Sequence, residues 1–375
     1  MDSLTQIVLG SSVAGLSVPA TQRRAGMLAG AVLGTLPDLD VLVLKAFSPD
    51  PVMEVTWHRG PSHSLLVLGL AGGLLWRVLR WRGNPLVAQA PGRWLLAIGL
   101  ALLTHPLLDA FTVYGTQLLW PLPLAPVVWS SIFIIDPLYT LPLLLGCVLA
   151  WRASPPLRPP PPPLEGASSA PPVASALRRR GPGRTARNAL ALGLVFSTAY
   201  LGWSVAAKSM VEASARQSLG FINLEDAPRL STPTPLNTLL WRVVVRAPNG
   251  YWVGYHSLLS DQGNIRFHFY PSDYRMLDDL GTSAGVQRLL WFTHGFVEVR
   301  PVHDGLSRER LELADVRMGF EPCYIFRYDV ATREGEQPWQ PAIGITRVPT
   351  AVMSWPTLGW VWRRLLHPTV GAPPH

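Results

Sequence analysis

Six stretches of mainly apolar residues occupy most of the first 207 positions, and they limit the possible folds more than any other feature. They cover residues 4–20, 25–44, 64–81, 94–110, 132–151 and 186–207. A helix of about 20 apolar residues has the length needed to cross a bilayer. The six runs therefore predict a mainly α membrane protein, with a bundle of about six transmembrane helices.

Residues 208–375 have a different pattern, which predicts a small β-rich (α+β) extramembrane domain. Residues 241–246 and 251–255 are rich in β-forming residues and flank Asn249-Gly250, a strong hairpin signal. Further strands are predicted over 265–270, 296–302 and 323–328. Residues 353–366 contain three tryptophans and predict either an amphipathic helix on the membrane surface or ordinary domain core plus a tail.

A Pro/Arg-rich segment over residues 151–185 separates the fifth apolar run from the sixth. It contains an almost unbroken proline tract from Pro155 to Pro163, which is typical of a disordered or polyproline linker. The predicted organisation is a helical membrane domain over 1–150, the linker, a final transmembrane helix over 186–207, and the β-rich domain over 208–375.

The arginines predict how the helices are oriented. The net charge is +8, and the excess lies in residues 1–207, with 15 Lys+Arg against 8 Asp+Glu. Thirteen of those 15 lie in alternate loops between apolar runs, as expected for the cytoplasmic loops of a multi-pass protein. The linker is then cytoplasmic and the C-terminal domain faces outward, to the periplasm. Nucleic-acid binding is not expected, because no basic face with interleaved aromatics is present.

Most acidic residues and all histidines of this half fall at the outward ends of the runs under this topology. Six packed helices would bring these groups into one shallow pocket that faces outward. Seven of them are candidate metal ligands, namely Asp38, Asp40, His58, His63, His105, Asp109 and Asp136. The two cysteines, Cys147 and Cys323, form no disulfide framework.

The spacing of these residues suits metal binding. His105 and Asp109 stand at i and i+4 on one helix face. Asp38 and Asp40 follow Pro37, where a helix is expected to bend or end. Two carboxylates that close repel each other unless a cation or a proton lies between them. Nitrogen and oxygen donors without cysteine favour zinc, with manganese or iron as alternatives. Seven candidates exceed the four ligands of one zinc ion, so a two-metal site stays open.

Each residue also has a simpler interpretation. His105 alone is more often a hydrogen-bonded helix residue than a ligand, and Asp38 or Asp40 alone could cap a helix or turn. Asp136 precedes Pro137 and could be an N-cap. The convergence of Asp and His from five segments on one side of the membrane favours the metal site.

Four motifs resemble those of the YdjM-like bacterial inner-membrane proteins. They are Met1-Asp2-Ser3-Leu4-Thr5, the stretch from Gly34 to Asp40 with its Pro-Asp-x-Asp, His58-Arg59-Gly60-x-x-His63-Ser64, and His105-x-x-x-Asp109. The resemblance covers about the first 145 residues. Members are described as membrane-bound metal-dependent hydrolases. The resemblance implies metal-ligand or catalytic roles for Asp38, Asp40, His58, His63, His105 and Asp109.

One position departs from that family, which usually has a histidine where this chain has Gln6. A neutral amide is a weaker ligand, so one metal position would be lost or altered. The order of the motifs is also similar to that of zinc-dependent phospholipase C enzymes, which makes phosphoesters attractive substrates.

The leading hypothesis is a hydrolase at the outer face of the bacterial inner membrane, acting on a phosphoester or lipid-linked substrate. Arg59 would hold the anionic oxygen of that substrate, and His63 or another histidine free of metal would protonate the leaving group. The expected partners are membrane lipids and a small or lipid-linked substrate. The alternative is a non-catalytic membrane protein that binds metal, with a C-terminal domain that binds a partner.

Overall fold

The structure is a computed structural model, and it describes residues 1–156, 182–303, 308–350 and 355–373. Most of the linker predicted over 151–185 lies outside these residues, as do positions 353 and 354 of the predicted C-terminal helix. The chain has a helical N-terminal region followed by a domain built on antiparallel β-sheets.

Every apolar run contains a helix. In chain order the helices are α1 (Ser3–Ser17), α2 (Arg23–Thr35), α3 (Asp40–Phe47), α4 (Pro51–Trp57), α5 (Leu65–Trp81), α6 (Pro85–Gln89), α7 (Pro91–Ala110), α8 (Pro137–Ala153) and α9 (Pro182–Gly220). The second run is interrupted after Thr35 by a 3-10 helix over Leu36–Leu39, which contains Pro37. The helix end predicted near Pro37 is therefore confirmed.

The prediction of about six transmembrane helices is wrong in number. Within the described residues three segments are long and apolar enough to cross a bilayer, Ala20–Phe47, Pro91–Ala110 and Gly183–Gly220. A fourth is added if Pro51–His63 and Leu65–Trp81, which meet at a 49° bend, form one broken span. Helix α1 has only 15 residues, which at 1.5 Å per residue is well short of a core about 30 Å thick.

Helix α1 lies in the middle of the bundle and packs against α2, α7, α8 and α9. Its backbone touches that of α2, because a Cβ built on Gly30 would lie 2.1 Å from the carbonyl oxygen of Gly10. A Cβ on Gly34 would lie 2.6 Å from the carbonyl oxygen of Gln6. Only glycine allows this approach, and it brings the N-terminal end of α1 next to the end of α2, where Asp38 follows.

Helix α9 continues from the bundle into the C-terminal domain as one helix of 39 residues. Near its start it packs on α8. From residue 207 onward it presents one stripe with a spacing of four, Ala207, Val211, Ala215 and Leu219, all fully buried. This stripe packs against Trp241, Val243 and Val245 of the following sheet. The predicted transmembrane segment 186–207 is thus part of a longer helix that continues into the C-terminal domain.

The C-terminal domain has ten strands within the described residues. They are β1 (Arg229–Pro233), β2 (Leu240–Ala247), β3 (Gly250–Ser257), β4 (Phe267–Pro271), β5 (Val297–His303), β6 (Arg308–Asp315), β7 (Gly319–Phe320), β8 (Cys323–Tyr324), β9 (Arg327–Glu334) and β10 (Gln340–Arg347). Helix α10 (Ala284–Thr293) lies between β4 and β5, and α11 (Trp355–Leu366) follows β10.

These strands form two antiparallel four-stranded sheets and one short pair in the described part of the domain. The orders are β1-β2-β3-β4 and β10-β9-β6-β5, with β7 paired to β8. The predicted hairpin is confirmed, since Ala247 lies opposite Gly250 across a two-residue loop. Side chains of both larger sheets meet in one core, for example Val244 and Tyr251 with Leu311 and Tyr328.

Helix α11 packs onto this domain. Trp360, Val361 and Leu365 are buried and contact Leu240 and Tyr255. This packing agrees with the domain-core alternative for the C-terminal segment, although Trp355 and Trp362 on the same helix remain exposed.

We expect Gly30→Ala to destabilise the protein, because the new methyl group would overlap the Gly10 carbonyl oxygen and force α1 and α2 apart. The expected loss is about 2 kcal/mol or more, measured as a lower unfolding temperature in detergent. Gly69→Ala on α5 is the matched control. No atom lies within 4 Å of the new methyl group there, so stability should be unchanged or rise by up to about 1 kcal/mol. Equal effects at both positions would contradict this helix packing.

Candidate metal centre

Four of the seven predicted ligands come together at one end of the bundle. Asp38, His63, His105 and Asp109 each offer one ligand atom, and these four atoms all lie within 4.8 Å of one another. They come from three places in the chain, the 3-10 helix after α2, the turn before α5, and the last turns of α7. In the part of the chain that the structure describes, this is the group whose geometry suits a metal ion.

Distances within the group are short. The Nε2 atoms of His63 and His105 are 3.1 Å apart. His63 Nε2 lies 3.3 Å from Asp38 Oδ1 and 3.3 Å from Asp109 Oδ2. His105 Nε2 lies 3.4 Å and 3.6 Å from the same two oxygens. Both imidazoles therefore turn the same nitrogen toward the carboxylates, and the four atoms surround one point.

Local structure explains why these side chains meet. His105 and Asp109 are one turn apart on α7, as the spacing predicted. Asp38 projects from the 3-10 helix Leu36–Leu39, directly after Pro37. His63 ends a second 3-10 turn, Pro61–His63, which follows Gly60. A Cβ at Gly60 would lie 2.8 Å from the Trp57 carbonyl oxygen, so glycine permits this tight turn.

Hydrogen bonds fix the protonation of both imidazoles. His105 Nδ1 lies 2.6 Å from the Gly34 carbonyl oxygen, which can only accept, so Nδ1 carries the proton. Ser62 donates its hydroxyl proton to Asp40 and accepts from His63 Nδ1 at 2.9 Å. In the neutral imidazoles each Nε2 then presents a lone pair to the centre. Metal-binding histidines are commonly oriented in this way by carbonyl or carboxylate partners.

The group fits a cation better than it fits protein atoms alone. With neutral imidazoles, two nitrogen lone pairs and two carboxylate oxygens face one another, which is repulsive unless a proton or a cation lies between them. Asp109 Oδ2 is buried and receives no hydrogen bond within the described residues, although such atoms are normally satisfied. Two nitrogen and two oxygen donors suit a divalent ion of the zinc, manganese or iron type, and the donors do not identify which.

Asp109 also contacts further polar groups. Arg59 Nε lies 3.1 Å from Oδ2, the Met1 amino group contacts Oδ1, and Arg59 Nη1 donates to Thr112 Oγ1 at 2.9 Å. The Arg59 side chain is almost fully buried. The anion that this guanidinium contacts in the structure is Asp109.

Gln6 lies in the same group of partners. Its Nε2 donates to Asp109 Oδ1 at 3.0 Å and to the His105 carbonyl oxygen at 3.3 Å. Both acceptors lack protons, so the amide orientation is fixed by its partners. The residue at the position of the usual family histidine therefore supports two ligands through hydrogen bonds, and its Oε1 has no partner within the described residues.

Asp40 and His58 lie beside the four ligands and pair with each other. His58 Nδ1 lies 2.9 Å from Asp40 Oδ1, while the other oxygen of Asp40 is 3.9 Å from His63 Nδ1. This pair is partly exposed, with 14% of the Asp40 side chain and 19% of the His58 side chain accessible. The structure thus places two predicted ligands in a neighbouring dyad rather than in the four-atom group.

The structure does not bring Asp136 to this group. Its carboxylate caps α8, accepting from the backbone N–H of Leu138 at 3.0 Å, and also accepts from the Tyr200 hydroxyl at 2.9 Å. Burial raises the pKa of Asp136. The N-cap interpretation of Asp136-Pro137 is therefore the correct one. The carboxylate accepts hydrogen bonds from backbone N–H groups at the start of α8 and does not reach the four-atom group.

Sequence reasoning missed several supporting residues. They are Ser62, Thr112, Tyr114 and the carbonyl group of Gly34. Ser62 directly precedes His63 in the sequence, and a hydroxyl next to a candidate ligand indicates a possible hydrogen-bond partner for its imidazole. A backbone carbonyl such as that of Gly34 gives no signal in a sequence.

Comparison with known proteins agrees with the motifs. A family model described as "YdjM inner membrane protein" matches residues 1–211, more than half of the chain. This range contains all four ligands and ends inside α9. No curated protein and no solved structure matches the chain.

Purified protein should bind one divalent ion per chain in this group, and His63→Ala should lose it because one of four donors is removed. Metal content by plasma mass spectrometry measures this. Asp136→Asn is the control, since asparagine still caps α8 and the metal should be retained. Loss of metal from Asp136→Asn with retention by His63→Ala would show that the ligands lie elsewhere.

Proposed function

The chain belongs to the YdjM inner membrane protein family, and we propose that it is a membrane-bound metal-dependent hydrolase. The observation that carries this proposal is the convergence of Asp38, His63, His105 and Asp109 beside the partly exposed dyad of Asp40 and His58. A metal group next to an oriented imidazole is an arrangement that supports metal-assisted hydrolysis of an ester.

Asp38, His63, His105 and Asp109 would hold the ion, for which we propose zinc. A divalent ion in this place supplies Lewis acidity, which activates water and polarises an ester oxygen. The protein supplies the geometry. Gly34 and Ser62 fix the imidazoles, and Arg59 and Gln6 hold Asp109.

His58 is the residue we assign to proton transfer. Asp40 accepts from its Nδ1 and so orients the ring, while no hydrogen bond to its Nε2 is formed within the described residues. A partly exposed imidazole that donates to a carboxylate from one nitrogen, with the other nitrogen unbonded, can give a proton to a leaving group. His63, the other candidate for this role in the sequence, has both nitrogens engaged and is fully buried.

The sequence suggested that Arg59 contacts the substrate, but in this proposal it acts on a metal ligand. Its guanidinium is buried between Asp109, Thr112 and the ring of Tyr114. We propose that it keeps Asp109 ionised and oriented as a ligand, so it acts through Asp109.

The exposed side of the site supports an amphiphilic substrate. His63, His105 and Asp109 are fully buried, whereas a fifth of the Asp38 side chain is accessible. The residues close in sequence to Asp38 and His58 are apolar and exposed, with accessible fractions of 49% for Leu36, 44% for Leu39 and 38% for Trp57. A lipid-linked phosphoester could place its head group at Asp38 and its chains along these side chains. The site would lie at the outer face of the inner membrane, as the arginine distribution predicts, with the C-terminal domain in the periplasm.

A non-catalytic metal-binding protein is the second candidate, and one observation favours it. Four protein ligands already complete a tetrahedral shell, which is typical of structural zinc, whereas catalytic zinc keeps one position open. The C-terminal domain would then bind a partner. The two candidates differ in whether Asp38, the only partly exposed ligand, can yield its place to water or substrate.

His58→Gln should lower kcat for phosphoester hydrolysis by about 10²–10⁴-fold, because proton transfer is lost while the four ligands remain. The assay compares a lipid phosphoester in micelles with a soluble aryl phosphate, together with the metal content of each variant. The exposed His268 on β4 provides the control, and His268→Gln should match the wild type. Full activity in His58→Gln would exclude the assigned role, and no hydrolysis by metal-loaded wild type would favour the second candidate.

A further inference from the structure

Tyr114 stands between the metal centre and the C-terminal domain. On one side its ring lies 4.9 Å from the Arg59 guanidinium carbon and 5.4 Å from the ring of His58. On the other side it meets the rings of Phe292 and Phe326 at 5.4 Å and 5.9 Å. Phe292 belongs to α10 and Phe326 precedes β9, so one buried aromatic side chain connects both parts of the protein.

Helix α4 is held by the same domain. Val52 and Val55 of α4, with Val113 and Tyr114, belong to the buried core that both larger sheets share. Arg288 of α10 donates to Thr56 Oγ1 at 3.2 Å and to the Thr56 carbonyl oxygen at 3.4 Å. The C-terminal domain therefore contacts α4 as far as Thr56, two residues before His58.

The turn that follows α4 needs such support. Arg59 has a φ of +62°, a left-handed conformation that costs a non-glycine residue about 1–2 kcal/mol. Its backbone carbonyl accepts from Gln117 N–H at 3.0 Å and its N–H contacts Asp40 Oδ2 at 3.3 Å. Tyr114 fixes the same segment by donating its hydroxyl proton to the Val55 carbonyl oxygen at 2.8 Å.

We propose that the C-terminal domain is a working part of the metal centre: through Tyr114, α10 and Phe326 it positions Arg59, and through Arg59 it orients the ligand Asp109. Tyr114, Phe292 and Phe326 are positioning residues. The family match ends at residue 211, so this role belongs to the part of the chain that the family model does not cover. The inference rests on the proposed metal site for its effect on metal affinity, although the positioning itself does not require metal.

The packing argues against a domain that is merely attached by a linker. An independent module would have a core of its own, whereas α4 and Tyr114 of the N-terminal region are buried in this one. Contacts outside the core join the same regions, since His294 of the C-terminal domain contacts the Pro126 carbonyl oxygen at 2.9 Å and Ser130 donates to the Ser231 carbonyl oxygen at 2.8 Å.

The test uses the full chain in detergent with the paired variant Phe292→Leu/Phe326→Leu. The first measurement is amide hydrogen exchange of metal-free protein over residues 54–63. In this segment the Gly60 N–H donates to the Trp57 carbonyl oxygen, and the His63 N–H donates to the Gly60 carbonyl oxygen. The second is the Co²⁺ dissociation constant by chelator competition, with the visible spectrum of bound Co²⁺. Phe320→Leu is the control, since Phe320 packs in the same domain against Tyr255 and Trp360.

We expect the paired variant to exchange these amides at least about tenfold faster, to bind Co²⁺ about tenfold more weakly and to show an altered spectrum, while Phe320→Leu matches the wild type. Tyr114→Phe keeps every ring contact and loses only the hydroxyl bond, so it provides a milder variant, with exchange about threefold faster, if the pair fails to fold. Exchange and affinity within twofold of wild type in both variants would overturn the proposal. Absence of Co²⁺ binding by wild type would instead overturn the metal site, and exchange alone would then decide the positioning.

Discussion

The arrangement of helices in the N-terminal half of this protein brings four electron-rich atoms together in one largely buried place. Two imidazole nitrogens stand 3.1 Å apart, with a carboxylate oxygen of Asp38 and one of Asp109 beside them. Such a group is unfavourable unless positive charge lies among its members. Arg59 and the Met1 amino group supply charge at one edge, and a divalent cation would supply it at the centre. The close contact of α1 with α2 and the break at Pro37 bring these atoms together.

Local rules allowed part of this site to be predicted from the sequence. His105 and Asp109 are one helical turn apart on α7, so their meeting depends on helix geometry alone. Pro37 ends α2 because a proline cannot continue the hydrogen-bond ladder, and Asp38 follows directly. The hairpin at Asn249-Gly250 formed for an equally local reason. The six apolar runs correctly indicated helices, because long apolar stretches of this kind are typical of helices removed from water.

The rest depended on packing between segments that are distant in sequence. Apolar character did not distinguish α1, a short helix buried by other helices, from a helix that crosses the bilayer, so the number of spans was overestimated. Asp136 satisfied its carboxylate at the start of α8 and with Tyr200, a residue 64 positions away. The separation of Asp40 and His58 from the four ligands, and the contact of Arg59 with Asp109, depend on how segments far apart in the sequence pack together. No spacing in the sequence contains that information.

X-ray absorption spectroscopy of the zinc-loaded full chain measures the central claim most directly, because it reports the atoms around the ion. Asp38, His63, His105 and Asp109 predict a shell of nitrogen and oxygen at about 2.0–2.2 Å, with the outer scattering of two imidazole rings. Sulfur at about 2.3 Å, which would place the ion at Cys147 or Cys323, would contradict the structure, as would a shell of oxygen without imidazole.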